Sequence, residues 1–179
     1  MKYSSYFLNP PDSFFKILIS ILGILILVLA FFLNNIFIAI VDGSSMENTI
    51  HNNDILLVNK KAYSISSPQR YDIINVYAPY KYDNFLVKRI IALPGDIIEI
   101  DNSSLYINGE EIHENYIKET MTLQYYLKLK VPKDKYFVMG DNRNVSLDSR
   151  YFGLISLDDI QGKVMIKYCC KNHKFSLFN

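Results

Sequence analysis

The sequence predicts a mainly β domain carried on one transmembrane helix, and three observations predict it. A charge-free apolar run lies near the N-terminus, β-branched runs recur beyond it at intervals of roughly ten residues, and turn residues separate those runs. The 179 residues, 50% apolar and 14% aromatic, are ample for one packed core and argue against disorder. A formal net charge of +1, with Lys and Arg scattered along the chain, leaves no basic stripe, so nucleic acid is set aside as a partner.

From Ile17 to Leu33 the chain reads Ile-Leu-Ile-Ser-Ile-Leu-Gly-Ile-Leu-Ile-Leu-Val-Leu-Ala-Phe-Phe-Leu, with no charge between Lys16 and Asp42. Some twenty such residues, at about 1.5 Å each, match a hydrocarbon core of about 30 Å. Pro10 and Pro11 end any earlier helix. We expect a short cytoplasmic segment over 1–16, a transmembrane helix over 17–35 and an extracytoplasmic β-rich domain over 36–179. A cleaved signal peptide is the competing reading; the length of the run and the lack of a small-x-small site after it weigh against that. Lys2 and Lys16 on one flank, against Asp42 and Glu47 on the other, orient the N-terminus to the cytoplasm and the bulk outside, with the lipid bilayer as partner.

Beyond Asn35 the period changes from helix to strand. Strands are expected from Ile36 to Val41, Asp54 to Val58, Asp72 to Tyr77, Phe85 to Ala92, Ile97 to Ile100, Ser104 to Ile107, Tyr125 to Val131, Tyr136 to Met139 and Lys163 to Tyr168. Leu93-Pro94-Gly95-Asp96 and Asn108-Gly109 fit tight reversals. The result is a meander or barrel with a hairpin-rich insertion around 101–133.

Chemistry is scarcer. Ser45, in Gly43-Ser44-Ser45-Met46-Glu47-Asn48-Thr49, lies just past the apolar run, and a serine needs a partner to remove its proton. It lacks a Gly-x-Ser-x-Gly elbow, and His51, His113 and His173 stand far apart in polar contexts, suggesting neither triad nor metal; no cofactor is expected. Lysine is the alternative base. In Phe85-Leu86-Val87-Lys88-Arg89-Ile90-Ile91-Ala92 two cations interrupt an apolar strand and point to opposite faces. Lys88 shares its face with Leu86 and Ile90, a setting that brings an amine toward a pKa of about 7 to 8 by desolvation. The alternative is a lysine whose stem packs while its ammonium reaches water. Gly140 to Arg150, dense in Asp, Asn, Ser and Arg, offers an ion-pair lattice around a site or, more simply, a solvated loop. Cys169 and Cys170 are adjacent, so they supply no disulfide framework and read as small apolar residues.

Four segments taken together resemble the ordered boxes of bacterial type I signal peptidases: Val41-Asp42-Gly43-Ser44-Ser45-Met46, Tyr71-Asp72-Ile73-Ile74, Lys88 through Asp96, and Met139-Gly140-Asp141-Asn142-Arg143 through Asp148-Ser149-Arg150. The resemblance runs from the anchor to about Lys167. It implies a membrane-bound serine endopeptidase with a Ser/Lys dyad, acting on the outer face of the cytoplasmic membrane. Ser45 matches the nucleophile and Lys88 the general base. Ser146 matches a hydroxyl that bonds and orients the lysine amine, and the backbone N–H of Ser45 matches an oxyanion donor. Arg89 with Asp141, and Asp148 with Arg150, match structural ion pairs, and these four residues with Gly43 and Met46 are given supporting roles.

By the same resemblance the fold is a β-rich catalytic core with a cap, here short as in the compact Gram-positive form. The substrates are secretory preproteins, bound as an extended strand with small residues at the first and third positions before the cut. The chain departs from the pattern at Gly43, where some relatives carry a second oxyanion hydroxyl, at Asn48 for proline, and at Val145 for asparagine. The departures at Asn48 and Val145 suggest a narrow substrate set, such as a pilin. Three other classes stand as alternatives: a silent anchored β-domain acting in assembly or binding, a self-cleaving repressor, and a Ser/His hydrolase.

Overall fold

The computed structural model describes residues 12–78, 85–122 and 126–178. It falls into two compact units, one ending at Ile36 and one beginning at Phe37. The first is helix α1, Asp12–Asn35, whose 24 residues extend about 36 Å. None of them is buried, and the helix is long and apolar enough to cross a membrane. It begins at Asp12, ahead of Ile17 where the apolar run starts, since helical hydrogen bonding is not confined to apolar residues. The Asp12 carboxylate also suits the positive end of the helix.

The second unit is built from two antiparallel sheets. The larger runs in the order β1 (Ile36–Ile40), β2 (Ile55–Asn59), β11 (Ile160–Cys169), β3 (Ile73–Tyr77), β4 (Phe85–Ala92), β9 (Lys135–Met139) and β10 (Ile155–Ser156). A further strand, β12 (Lys174–Leu177), pairs with the far half of β11. The smaller sheet runs β7 (Glu110–Glu111), β6 (Ser104–Ile107), β5 (Ile97–Asp101) and β8 (Tyr126–Lys130). It therefore starts at Ile97, before the expected insertion, because β5 pairs with β6 and β8 rather than with the large sheet. Of the strand expected from Tyr125, that first residue lies outside the described ones.

The mainly β class holds, with the large sheet barrel-like but open: no pairing joins β1 to β10 among the described residues. β7, β10 and β12 carried no legible signal, being two to four residues long, with β7 and β12 mostly exposed. Burial gathers into three clusters. One lies between the small sheet and the end of β4 and β9, around Ile91, Ile98, Ile100, Phe137 and Met139. A second joins Met46 and Ile50 to Leu56, Val58, Ile73 and Val164. The third holds Ile74, Val76, Ile90 and Val138. Strand β4 borders all three, and both cations of its middle are buried with it.

Candidate active site

The segment after β1 is pinned at both ends. The Val41 amide donates to the Asp54 carbonyl at 2.9 Å, and the Asn53 amide returns to the Val41 carbonyl at 2.8 Å. Between them Met46 and Ile50 turn into the core, Ile50 N donating to Met46 O at 2.8 Å, which fixes the residue just before Met46. That residue is Ser45. Gly43 has φ +115°, a conformation that L side chains rarely adopt, and its amide donates to Asn52 Oδ1 at 2.8 Å. A hydroxyl-bearing residue there would be strained, which gives a backbone reason for glycine at this position. The Glu47–Asn48 peptide is cis.

Strand register brings the other groups to this segment. Arg89 pairs with Met139 in β9, so the polar run beginning at Gly140 leaves the sheet beside the middle of β4. It docks directly on the serine segment: Asn142 N donates to Ser45 O at 3.0 Å, and Asn142 Nδ2 to Ser44 O at 3.0 Å. Gly140 is required by this contact, for a Cβ there would lie 2.3 Å from both Ser45 O and Ser146 Oγ.

Lys88 Nζ lies 2.7 Å from Ser45 Oγ, and the lysine is 1% exposed. Burial lowers its pKa to about 8, against the raising effect of the Asp148 carboxylate; Arg150 pushes down and Asp141 up by smaller amounts. The Ser45 amide donates to no protein group among the described residues. A cleft of about 290 Å3 opens over Ser45 between the end of β1 and the start of β4.

On the opposite face of β4, Arg89 grips Asp141 with two hydrogen bonds, Nε to Oδ1 at 2.8 Å and Nη2 to Oδ2 at 2.6 Å. The guanidinium also donates to Tyr71 O at 3.1 Å and stacks on the Tyr116 ring at 4.1 Å. Thr49 closes the group, its hydroxyl donating to Asp141 while it accepts from Arg89. Asp148 takes two bonds from the Arg150 guanidinium, at 2.8 Å each, one from Arg150 N at 3.2 Å and one from Gly140 N at 3.1 Å. These two pairs are the ion-pair lattice, and the alternative of a solvated loop is excluded for Asp141, Asn142, Arg143 and Asp148, all buried.

Ser146 corrects an expectation. It is buried beside Gly140 and Ser45 O, yet its hydroxyl makes no hydrogen bond, to Lys88 or to anything else described. The Lys88 amine is directed at Ser45 instead. Sequence reasoning assigned no role to Thr49, Tyr116 or Asn142, nor to Glu114, which pairs with the buried Arg143. Asn142 and Arg143 lay inside a quoted box and could have been found there; Glu114 and Tyr116 come from the insertion, where nothing local marks them. His51 lies beside Asp54 and His173 beside Tyr168, both away from Ser45's partners.

Residues 12–169 match the family described as signal peptidase, peptidase S26. A probable signal peptidase I-2 of Synechocystis is 38% identical over 134 residues, 72% of this chain; the chain spans 61% of that relative's length. A signal peptidase I of Bacillus caldolyticus is 39% identical over 142 residues, 72% of this chain and 77% of that protein. A solved signal peptidase I from Enterococcus faecalis is 35% identical, with a TM-score of 0.48 over 55% of this chain and 97% of that one.

Proposed function

The chain belongs to the signal peptidase family, peptidase S26, and from that premise we propose that it removes signal peptides from secretory preproteins with Ser45 as nucleophile and Lys88 as general base. The observation that carries this reading is the 2.7 Å approach of Lys88 Nζ to Ser45 Oγ. An amine with a pKa near 8 is neutral in a useful fraction at physiological pH and can accept the hydroxyl proton.

The steps follow from that pair. As Ser45 Oγ forms a bond to the scissile carbonyl carbon, its proton passes to Lys88 Nζ and the carbonyl oxygen becomes an oxyanion. The unengaged Ser45 amide donates to that oxygen. The carbon–nitrogen bond then breaks, Lys88 returns the proton to the leaving amine, and the signal peptide is left as an ester on Ser45. Water attacks the ester with Lys88 again accepting a proton, which frees the peptide acid and restores the serine. Once Lys88 is an ammonium it has three donors to place, and the buried, unpartnered Ser146 hydroxyl is the acceptor we assign to it. Arg89, Asp141, Asp148, Arg150, Gly43 and Met46 hold the segments that present these groups.

Helix α1 anchors the enzyme in the cytoplasmic membrane as a single span, with its N-terminus in the cytoplasm and the β domain outside. The substrate enters the cleft as an extended strand, with small residues before the cut. Asn48 and Val145 are consistent with a narrow set of preproteins. Detergent-solubilised full-length protein should cleave a preprotein, and Ser45→Ala and Lys88→Ala should each abolish that cleavage. Undiminished cleavage by Lys88→Ala would remove the assigned base, and an inactive parent would favour the silent-domain reading.

A further inference from the structure

Asn75 carries an amide that the steps above leave unused. It sits in the middle of β3 and is only 5% exposed. Its partners across the sheet are Val87 in β4 and Gly162 in β11, so one flank is apolar and the other brings no side chain. Ile73, two residues away on the same face, packs with Met46, and Val87, Ala39 and Val41 pack against that cluster. A side-chain amide in such a wall is costly unless something bonds it. Among the described residues no protein group bonds it, and its polar atoms are not sealed off like the Ser146 hydroxyl, so they are open to the cleft they line.

The amide instead opens on the substrate cleft. Two clefts meet at Ala39, Ile40, Asn75 and Phe85: the one over Ser45, and a second of about 650 Å3 that continues to Lys60 and Gln161. Asn75 therefore lies beyond the nucleophile along the path of an extended chain. In such a chain alternate side chains face one wall, about 7 Å apart. If the first residue before the cut faces the wall beside Ser45, the next residue facing that wall is the third before the cut.

We propose that Asn75 is a specificity-determining residue: its amide hydrogen-bonds a polar side chain, such as serine or threonine, at the third position before the cut. This rests on the peptidase reading above. A small aliphatic residue fits the same space but leaves the amide unpaired, and a site built around a hydrogen bond discriminates against the analogue that lacks it. The proposal adds a polar preference to the size preference of the cleft.

The test uses full-length enzyme and two versions of one preprotein that differ only by serine or alanine at that position. The parent should prefer serine by about three- to tenfold in kcat/KM, the value of one neutral hydrogen bond. Asn75→Val should bring the ratio to one or below, and Asn75→Thr, which keeps a hydroxyl, should recover part of it. A parent ratio of one overturns the proposal by itself, whether or not either variant folds. An unchanged serine preference in a folded Asn75→Val also overturns it, while leaving the peptidase reading intact. Failure of the parent to cleave either version overturns both.

Discussion

Lys88 and Arg89 are neighbours in one strand, both buried, and their charges are handled in opposite ways. On one face Lys88 has a hydroxyl as its hydrogen-bond partner and no carboxylate in contact, so burial draws its pKa to about 8. On the other, Arg89 has a carboxylate held at two points, a carbonyl, a hydroxyl and an aromatic ring. Burial alone therefore does not decide how a cation is held in this interior. A guanidinium keeps its charge and needs an anion within bonding reach to offset burial, whereas an amine can shed its proton, and the strand supplies an anion only on the guanidinium's side.

That contrast can be broken most severely at the lysine. Lys88→Met should lower kcat/KM by roughly 10^4-fold or more, as loss of a dyad member does, without lowering the thermal midpoint, since it removes a costly buried amine. A parallel drop in stability would mean that Lys88 is structural. Arg89→Met should do the reverse. It strands the fully buried Asp141 and should cost about 3–5 kcal/mol in denaturant unfolding of the detergent-solubilised protein. A loss under about 1 kcal/mol would show the pair to be dispensable.

The pH dependence sharpens the same comparison. Only neutral Lys88 accepts a proton, so kcat/KM should rise with pH and level off above an ionisation near 8. The folded pKa lies below the ordinary value of 10.5, so between about pH 8 and 10.5 the unfolded chain binds the extra proton. Stability contributed by this group is present above that window and is lost as pH falls through it, by on the order of 3 kcal/mol. Comparing unfolding of the parent and Lys88→Met from pH 8 to 10 isolates it; identical slopes would rule it out.

Smaller effects test the periphery of each face. Ser146→Ala should reduce kcat by about tenfold, the value of one hydrogen bond to a charged group, while barely moving the thermal midpoint, because its hydroxyl bonds nothing in the resting structure. An unchanged kcat would remove Ser146 from the cycle. Thr49→Val should cost about 1 kcal/mol through its lost bonds to Asp141 and Arg89. Equal stability would show that Arg89 and Asp141 are satisfied by each other.

The anchor and the strand pattern were legible because hydrophobic period is local. Phe85 to Ala92 and Ser104 to Ile107 appear with those limits, since each run is bounded by residues of another kind. The opposition of Lys88 and Arg89 followed from alternation alone. What that pattern could not carry was the register Arg89 to Met139, which determines that Gly140 to Asn142 meet Ser45 rather than some other loop. Tyr116 and Glu114 were illegible for the same reason: their partners, Arg89 and Arg143, lie in other segments. The Lys88–Ser146 bond, expected from resemblance, is not made in the resting structure, because side-chain placement at that level is not specified by sequence.

The alternation of β4 also makes the enzyme an indicator of its own folding. Slipping this strand by one residue against β3 and β9 would turn a permanently charged guanidinium toward Ser45 and leave a lysine to face Asp141. Such a slip would also turn the apolar side chains of the strand to the wrong faces, and on the proposed dyad no group beside the serine could take a proton. If the proposed dyad carries the reaction, specific activity per folded molecule would report correctly aligned chains, a quantity that spectroscopic measures of strand content would miss.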